Sequence, residues 1–317
     1  MAAALTLAER GRGRTAPNPN VGCMIVKDGR VVGRGWTQAG GRPHAEAVAL
    51  DRAGAAARGA TVYVTLEPCA HASPRGPTCS DLLIEAGVAR VVAALGDSDP
   101  RTDGSGIGRL RDSGVAVDIG VGEAAARRSM AGFLTRRALG RPHVTLKLAT
   151  SLDGCIARAD GESRWITGEA ARAHAHLERA RHEAILVGRG TYEADAPKLD
   201  VRLAGLDNRS PRRVLLTRSL DTVAGLTVVG APERIADLDG VDHVLVEGGA
   251  GAASAFLAAD LIDRLLIYRA PILIGGGRPA IGDIGLDRLA DAHGRWRLVD
   301  QRMLGSDRLE AYERVRD

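Results

Sequence analysis

The chain is poor in several things at once. Of its 317 residues only nine are aromatic, four are cysteine and three are lysine, against forty arginines. Four cysteines in so long a chain exclude a disulfide framework and leave the thiols free for other work. No apolar run approaches the ~18 residues a membrane-spanning helix needs, and no charged-then-apolar leader precedes the first helical stretch, so a cytoplasmic protein with no membrane contact is expected. The net charge of +4 is carried by arginines that are scattered rather than clustered. That dispersal argues against a nucleic-acid stripe, whereas single arginines suit a phosphorylated small molecule. What is present is ordinary for a soluble globular chain, 45% apolar and 26% charged. The length implies two domains, each able to bury its own core.

The most informative stretch runs from Pro43-His44-Ala45-Glu46 to Glu67-Pro68-Cys69 and, after nine intervening residues, Cys79. One imidazole and two thiolates form a donor set for a borderline-soft dication with a fourth position left open for water. A carboxylate close by, here Glu46, is the group to move that water's protons. His and two Cys on zinc with a nearby Glu as shuttle is the constellation of zinc nucleobase deaminases. Any one of these residues alone would more often be structural, as a buried thiol or an exposed histidine.

Along the chain, residues 3–10 read as a helix and Arg10–Arg14 as a flexible loop. Val21–Lys27 and Arg30–Trp36 read as strands joined at Asp28-Gly29. Asn18 and Asn20 suit either turn formation or substrate contact. Pro43 is placed to open a helix from His44 to Ala57. Since positions i and i+2 lie about 200° apart on a helix, His44 and Glu46 can converge only around a metal near that helix's entry. A strand from Thr61 to Leu66 would deliver Cys69, and Cys79 would start a helix whose positive end favours a thiolate. Val88–Leu95 and Val115–Ile119 read as strands, Gly104–Gly108 as a loop, and Gly122–Leu139 as one helix. Cys23 should pack as a small hydrophobe, and Cys155, after the Asp153-Gly154 turn, is expected at the surface.

A second α/β unit begins at Val144. Thr167 is expected to cap a helix reaching Arg181, with His174 and His176 at the surface. Ala184–Val187, Arg213–Thr217 and His243–Val246 read as strands, the last running into Glu247-Gly248-Gly249-Ala250-Gly251 and a helix. Strand, glycine turn and helix N-terminus let backbone N–H groups approach a phosphate, although close helix–strand packing explains the glycines equally well. Arg264–Tyr268 and Ile272–Ile274 read as closing strands.

Taken together, Pro17-Asn18-Pro19-Asn20-Val21-Gly22, His44-Ala45-Glu46, Thr65-Leu66-Glu67-Pro68-Cys69, Lys147-Leu148, Ser151-Leu152-Asp153-Gly154, Gly161-Glu162-Ser163, Trp165-Ile166-Thr167 and Val246-Glu247-Gly248-Gly249 resemble, in order, the bifunctional riboflavin-biosynthesis enzymes that fuse a pyrimidine deaminase to a pyrimidine reductase. The resemblance implies an α/β fold with a cytidine-deaminase-like N-terminal domain, residues 1–141, and a dihydrofolate-reductase-like C-terminal domain, residues 142–317. It implies hydrolysis of the 2-amino group of a diaminopyrimidinone ribosyl phosphate, followed by reduction of the ribose by NADPH to a ribityl chain. Matched by position, His44, Cys69 and Cys79 would hold one zinc and Glu46 would be the catalytic proton shuttle. Ala149, Trp165, Thr191, Asp195, Gly249, Ala250 and Gly251 would contact NADPH. Ser163, Arg179, Leu199, Arg202 and Glu247 would contact the phosphorylated pyrimidine. A homo-oligomer is expected, with no nucleic-acid partner.

Two departures stand out. The family usually places eight residues between its metal cysteines; here there are nine, bearing His71 and Arg75. Arg218 stands where the family often has serine, and would either favour the 2′-phosphate of NADPH or be exposed. The alternative reading is a zinc deaminase of another nucleoside or a tRNA, with a second half that only binds.

Overall fold

The computed structural model describes residues 1–71 and 76–316. Arg75 therefore lies outside the described residues. The chain divides into two compact units, Met1–Ala138 and Leu139–Asp317.

The first unit is a five-stranded sheet ordered β2-β1-β3-β4-β5, from β1 (Gly22–Lys27), β2 (Arg30–Trp36), β3 (Thr61–Val64), β4 (Arg90–Ala93) and β5 (Ala116–Ile119). β1 runs antiparallel to both β2 and β3, whereas β3, β4 and β5 are mutually parallel. Asp28 and Gly29 take positive φ at the hairpin, as the Asp-Gly pair requires. Its helices are α1 (Ala2–Ala8), α2 (Ala45–Ala53), α3 (Cys79–Glu85), α4 (Ser105–Asp112), α5 (Glu123–Ser129) and α6 (Ala131–Leu139). α2 lies close on β2 because small residues meet there: a Cβ on Gly33 or Gly35 would stand 2.2 Å from Ala49 O or 2.0 Å from Ala45 O. That approach brings the entry of α2 to the edge where β3 ends.

Three expectations in this unit are corrected. Gly104–Gly108 is no loop: Gly104 at φ 80° leads into α4, whose Ile107 and Leu110 are buried. Apolar anchoring overrides the poor helix propensity of the glycines. The stretch from Gly122 to Leu139 is two helices, broken at Met130. Arg12, in the supposedly flexible loop, is buried. Cys23 is buried in the core, as a small hydrophobe would be.

The second unit is an eight-stranded sheet ordered β10-β9-β8-β11-β6-β12-β15-β14. Its strands are β6 (His143–Thr150), β8 (Ala184–Gly188), β9 (Arg212–Leu216), β10 (Thr227–Val229), β11 (His243–Val246), β12 (Arg264–Arg269), β14 (Trp296–Leu304) and β15 (Asp307–Arg314). β7 (Cys155–Ala157) and β13 (Arg278–Pro279) form a separate pair. The strands from β10 to β12 are parallel and the last two antiparallel. β8 and β11 are buried almost throughout, with α8 (Arg189–Asp195) and α9 (Ala250–Ala258) packed on β8, while α7 (Glu169–Arg179) covers β12 and β15 through Ala171 and Ala175.

Here too the structure corrects the sequence reading. Ile272–Ile274 is not a strand; its backbone is taken by the 151–153 turn, where Leu152 N–H donates to Ile272 O (2.8 Å) and the Asp153 carboxylate accepts from Ile274 and Gly275 N–H (3.2 and 2.8 Å). The closing strands are the β14–β15 hairpin. Gly168, not Thr167, occupies the N-cap of α7, and its N–H donates to Asp307 Oδ2 (2.6 Å). His174 and His176 are half-buried: His174 Nδ1 lies 2.7 Å from the Tyr268 hydroxyl, and His176 Nδ1 accepts from Arg202 N–H at 3.2 Å. Cys155 is buried, packed under the 151–155 turn that Ser151 closes.

Candidate active sites

His44 is the N-cap of α2 (ψ 161°), so it stands outside the helical rotation that would separate it from Glu46. Cys69 follows the end of β3, and Cys79 opens α3, where Thr78 caps the helix by accepting from Asp81 N–H at 3.2 Å. The three side chains meet. His44 Nδ1 lies 3.3 Å from Cys79 Sγ and 3.6 Å from Cys69 Sγ, and all three donor atoms fall within 4.8 Å of one another. Both thiols are free and buried. This is a compact, soft donor set with no disulfide joining the sulfurs, and it fits zinc. The far edge of the imidazole faces the Asn18 side chain, whose Nδ2 lies 3.3 Å from His44 Nε2 and donates to Gly41 O at 2.8 Å. Asn20 is instead structural, donating to Ser129 Oγ at 3.1 Å.

Glu46 is only 3% exposed. Burial pushes its carboxyl up to about 7, against the opposing pull of His44, and it hydrogen-bonds Cys79. Of the two sulfurs Cys69 is held well below the usual thiol range, first by hydrogen bonding from Cys79, which is itself pushed up. Glu67 is occupied differently. Its Oε2 accepts from Asp97 and Gly104 N–H (3.0 and 3.1 Å) and its Oε1 from Gly106 and Ile107 N–H (3.0 and 3.1 Å). The carboxylate thus ties the entry of α4 to the turn that presents Cys69, and Gly106 passes so close that a Cβ would stand 2.0 Å from Pro68 O. His71 lies 3.1 Å from Thr102 Oγ1 through Nδ1.

In the second unit, a cavity of about 880 Å³ opens over the C-terminal ends of β6, β8, β9 and β11, the edge where parallel sheets bind ligands. Ala149, Ser163, Thr191, Asp195, Glu247, Gly249, Ala250 and Gly251 all line it, as does Arg218. Gly249 N–H is already taken by Thr191 Oγ1 (2.9 Å), leaving the first N–H groups of α9 to face a ligand. The close-packing explanation for the glycines holds at Gly248, where a Cβ would stand 2.6 Å from that of Ala252. Four expected residues lie off the cavity wall. Trp165 is 65% exposed, with the Arg172 guanidinium 4.7 Å over its ring. Arg179 stands behind the wall, bidentate on Glu247 at 2.7 and 2.8 Å. Leu199 is buried in a small apolar cluster with Ile185 and Leu215. Arg202 is exposed, its Nε 3.4 Å from Asp200.

Comparison with known proteins decides the family. The RibD C-terminal domain matches residues 142–309, and the cytidine and deoxycytidylate deaminase zinc-binding region matches residues 1–95. The chain is 40% identical to the riboflavin biosynthesis protein RibD of Escherichia coli K12, covering 97% of this chain and 96% of that one. It is 43% identical to RibD of Mycobacterium tuberculosis H37Rv over 94% and 91%. A Thermotoga maritima structure described as a diaminohydroxyphosphoribosylaminopyrimidine deaminase/5-amino-6-(5-phosphoribosylamino)uracil reductase superposes with a TM-score of 0.89 at 32% identity, over 99% and 97%. The chain belongs to the RibD family.

In RibD terms the first unit is the cytidine-deaminase-like zinc domain and the second the dihydrofolate-reductase-like domain that works with NADPH. Lys147 was missed as a site residue, although Lys147-Leu148 was singled out as a motif. It lines the cavity, with Nζ 3.7 Å from Glu247 Oε2. Burial alone would raise the Glu247 carboxyl, but Lys147 and Arg179 outweigh it and hold it at about 2. The available signal was positional: Lys147 alternates with the buried Leu146 and Leu148 of β6 and so faces the other way.

Proposed function

We propose that the first unit hydrolyses the 2-amino group from 2,5-diamino-6-ribosylamino-4(3H)-pyrimidinone 5′-phosphate, and that the second reduces the ribosyl side chain to give 5-amino-6-ribitylaminouracil 5′-phosphate. The observation that carries this reading is one chain holding both a buried Glu beside a His/Cys/Cys cluster and a glycine-turn cavity at a sheet's C-terminal edge. What zinc supplies, held by His44, Cys69 and Cys79, is an acidified water and a Lewis acid. Glu46 takes the first proton of the attacking water and passes it to the ring nitrogen. It then takes the hydroxyl proton of the resulting adduct and passes it to the amine, which leaves as ammonia as the C–N bond breaks and the carbonyl forms. The burial of its carboxylate keeps that proton out of bulk exchange.

In the second unit NADPH supplies the hydride, and the chain must place it and provide the matching proton. Ala149, Thr191, Asp195, Gly249, Ala250 and Gly251 hold the cofactor, with Trp165 at its approach. Ser163 and Glu247 position the pyrimidine, Arg179 holds Glu247 in place from behind the wall, and Arg202 pairs with the substrate's phosphate. Lys147 bears the proton on the cavity wall and is oriented by Glu247. Homo-oligomeric assembly and a cytoplasmic location belong to the same reading. A tRNA or nucleoside deaminase with a silent second half would leave the Lys147–Glu247–Arg179 arrangement inside a cavity without a task.

The test is to assay the pyrimidine substrate with and without NADPH, in the native chain and in Glu46→Gln. Deamination without NADPH and NADPH oxidation only after it are expected of the native chain. Glu46→Gln should keep its zinc and its circular dichroism, lose about 10⁴-fold or more in deamination, and oxidise NADPH normally when given the deaminated intermediate. Parallel loss of both activities in a folded, zinc-loaded variant would sink the two-site reading.

A further inference from the structure

The substrate of the first unit carries a phosphate dianion, and no residue assigned there so far brings a free positive charge. Several of this unit's arginines are already engaged on carboxylates: Arg90 on Asp118, Arg101 and Arg137 on Asp99, Arg109 on Asp81, Arg127 on Glu123. Arg42 is different. It is half-buried, its Nε is shut off from solvent without a hydrogen-bond partner, and its guanidinium makes no ion pair among the described residues. The Ala72-Ser73-Pro74-Arg75 segment offers it no carboxylate either. A buried polar donor left unsatisfied is costly, and where one persists a ligand is a natural explanation.

Its place is as telling as its lack of a partner. Arg42 directly precedes Pro43-His44. The peptide before it is anchored by Asn18, whose amide bonds Gly41 O (2.8 Å) and abuts the His44 ring (3.3 Å). On its other side Nη1 would lie 3.2 Å from a Cβ on Gly76, three residues ahead of Cys79. The guanidinium therefore sits between the two chain segments that carry His44 and Cys79 into the cluster.

We propose that Arg42 is the phosphate-binding residue of the deaminase site, its guanidinium fork taking the 5′-phosphate of the pyrimidine riboside while the base reaches Glu46. The inference rests on the reading of this unit as a deaminase of a phosphorylated substrate. A guanidinium presents paired N–H donors that match phosphate oxygens, and losing such charge-assisted bonds costs roughly 10- to 100-fold in binding.

The experiment compares the zinc-loaded full chain with Arg42→Gln and Arg42→Lys, on the 5′-phosphorylated substrate and on the same riboside without phosphate. Arg42→Gln should raise KM for the phosphorylated substrate by about 10- to 100-fold, with kcat little changed. Arg42→Lys should recover part of this, and the phosphate-free riboside should be handled alike by all three. Equal loss on both substrates, or an undiminished preference for phosphate, overturns the assignment. A second measurement does not depend on turnover: the rate at which phenylglyoxal modifies Arg42 in the native chain, read by peptide mass spectrometry, should fall when inorganic phosphate is added. An unchanged rate counts against the site. If the native chain deaminates neither substrate, the proposed reaction is what fails, and the labelling alone decides whether Arg42 binds the anion.

Discussion

At the scale of single residues, the two acids flanking the metal set differ in what they are free to do. Glu46 touches Cys79 and has no saturating set of donors, whereas Glu67 has both oxygens filled by four backbone N–H groups. A carboxylate so occupied cannot also shuttle protons; it positions. Glu67→Gln would turn an NH₂ toward two of those donors, leaving buried N–H groups unmet at about 1–3 kcal/mol each. The expected outcome is a first unit that melts earlier and releases zinc faster to a chelator, with the deamination rate per bound zinc within about tenfold of native. A folded, fully zinc-loaded Glu67→Gln that cannot deaminate would make Glu67 the shuttle instead. The difference between the two acids was only half legible. His-x-Glu and Pro-Cys signal the chemistry by themselves, but Glu67's donors come from residues 97–107, and nothing local in Glu67-Pro68-Cys69 says so.

At the scale of elements, legibility followed how local the determinant was. The β1–β2 hairpin, the start of α3 at Cys79 and the β11–α9 turn were readable because turn chemistry and helix starts act within a few residues. α4 was not, because glycines at 104, 106 and 108 oppose a helix and the forces that override them, buried Ile107 and Leu110 and the Glu67 carboxylate, are tertiary. Ile272–Ile274 failed for the converse reason: a good strand sequence whose hydrogen bonds are claimed by the 151–153 turn. Lys147 is legible from the period of two along β6, since it faces away from the buried Leu146 and Leu148. The β11–α9 turn also yields a graded test. Gly248→Ala would force a Cβ to 2.6 Å from that of Ala252, whereas on Gly249 the nearest atom is Thr191 Oγ1 at 3.1 Å. Overpacking of the first kind costs about 1–3 kcal/mol and must shift the α9 entry against β11. Gly248→Ala should therefore weaken NADPH binding by about tenfold or more and Gly249→Ala by less, with deamination unaffected by either. Fluorescence titration of NADPH checks the order; equal, small effects would mean that the turn does not face the cofactor.

At the scale of the whole chain, each of the two main cores closes within its own unit. The first draws on residues from Val21 to Met130 and the second on residues from Val144 to Ala280. A self-contained core is what allows a domain to fold alone, and the zinc donors all lie in the first. Heating should thus produce two transitions with separate ligand dependences. Zinc binds only the folded first unit, so at a thousand times its dissociation constant it contributes about 4 kcal/mol. For a unit of this size that displaces the midpoint by on the order of 10 °C. Chelation should lower one transition by that much and leave the other in place, while NADPH should raise the second and not the first. Differential scanning calorimetry with chelator and with NADPH, singly and together, checks all four combinations. A single transition that moves with either ligand would show that the cores, though separate in their packing, unfold as one, and a fragment beginning at Leu139 would then neither fold nor bind NADPH.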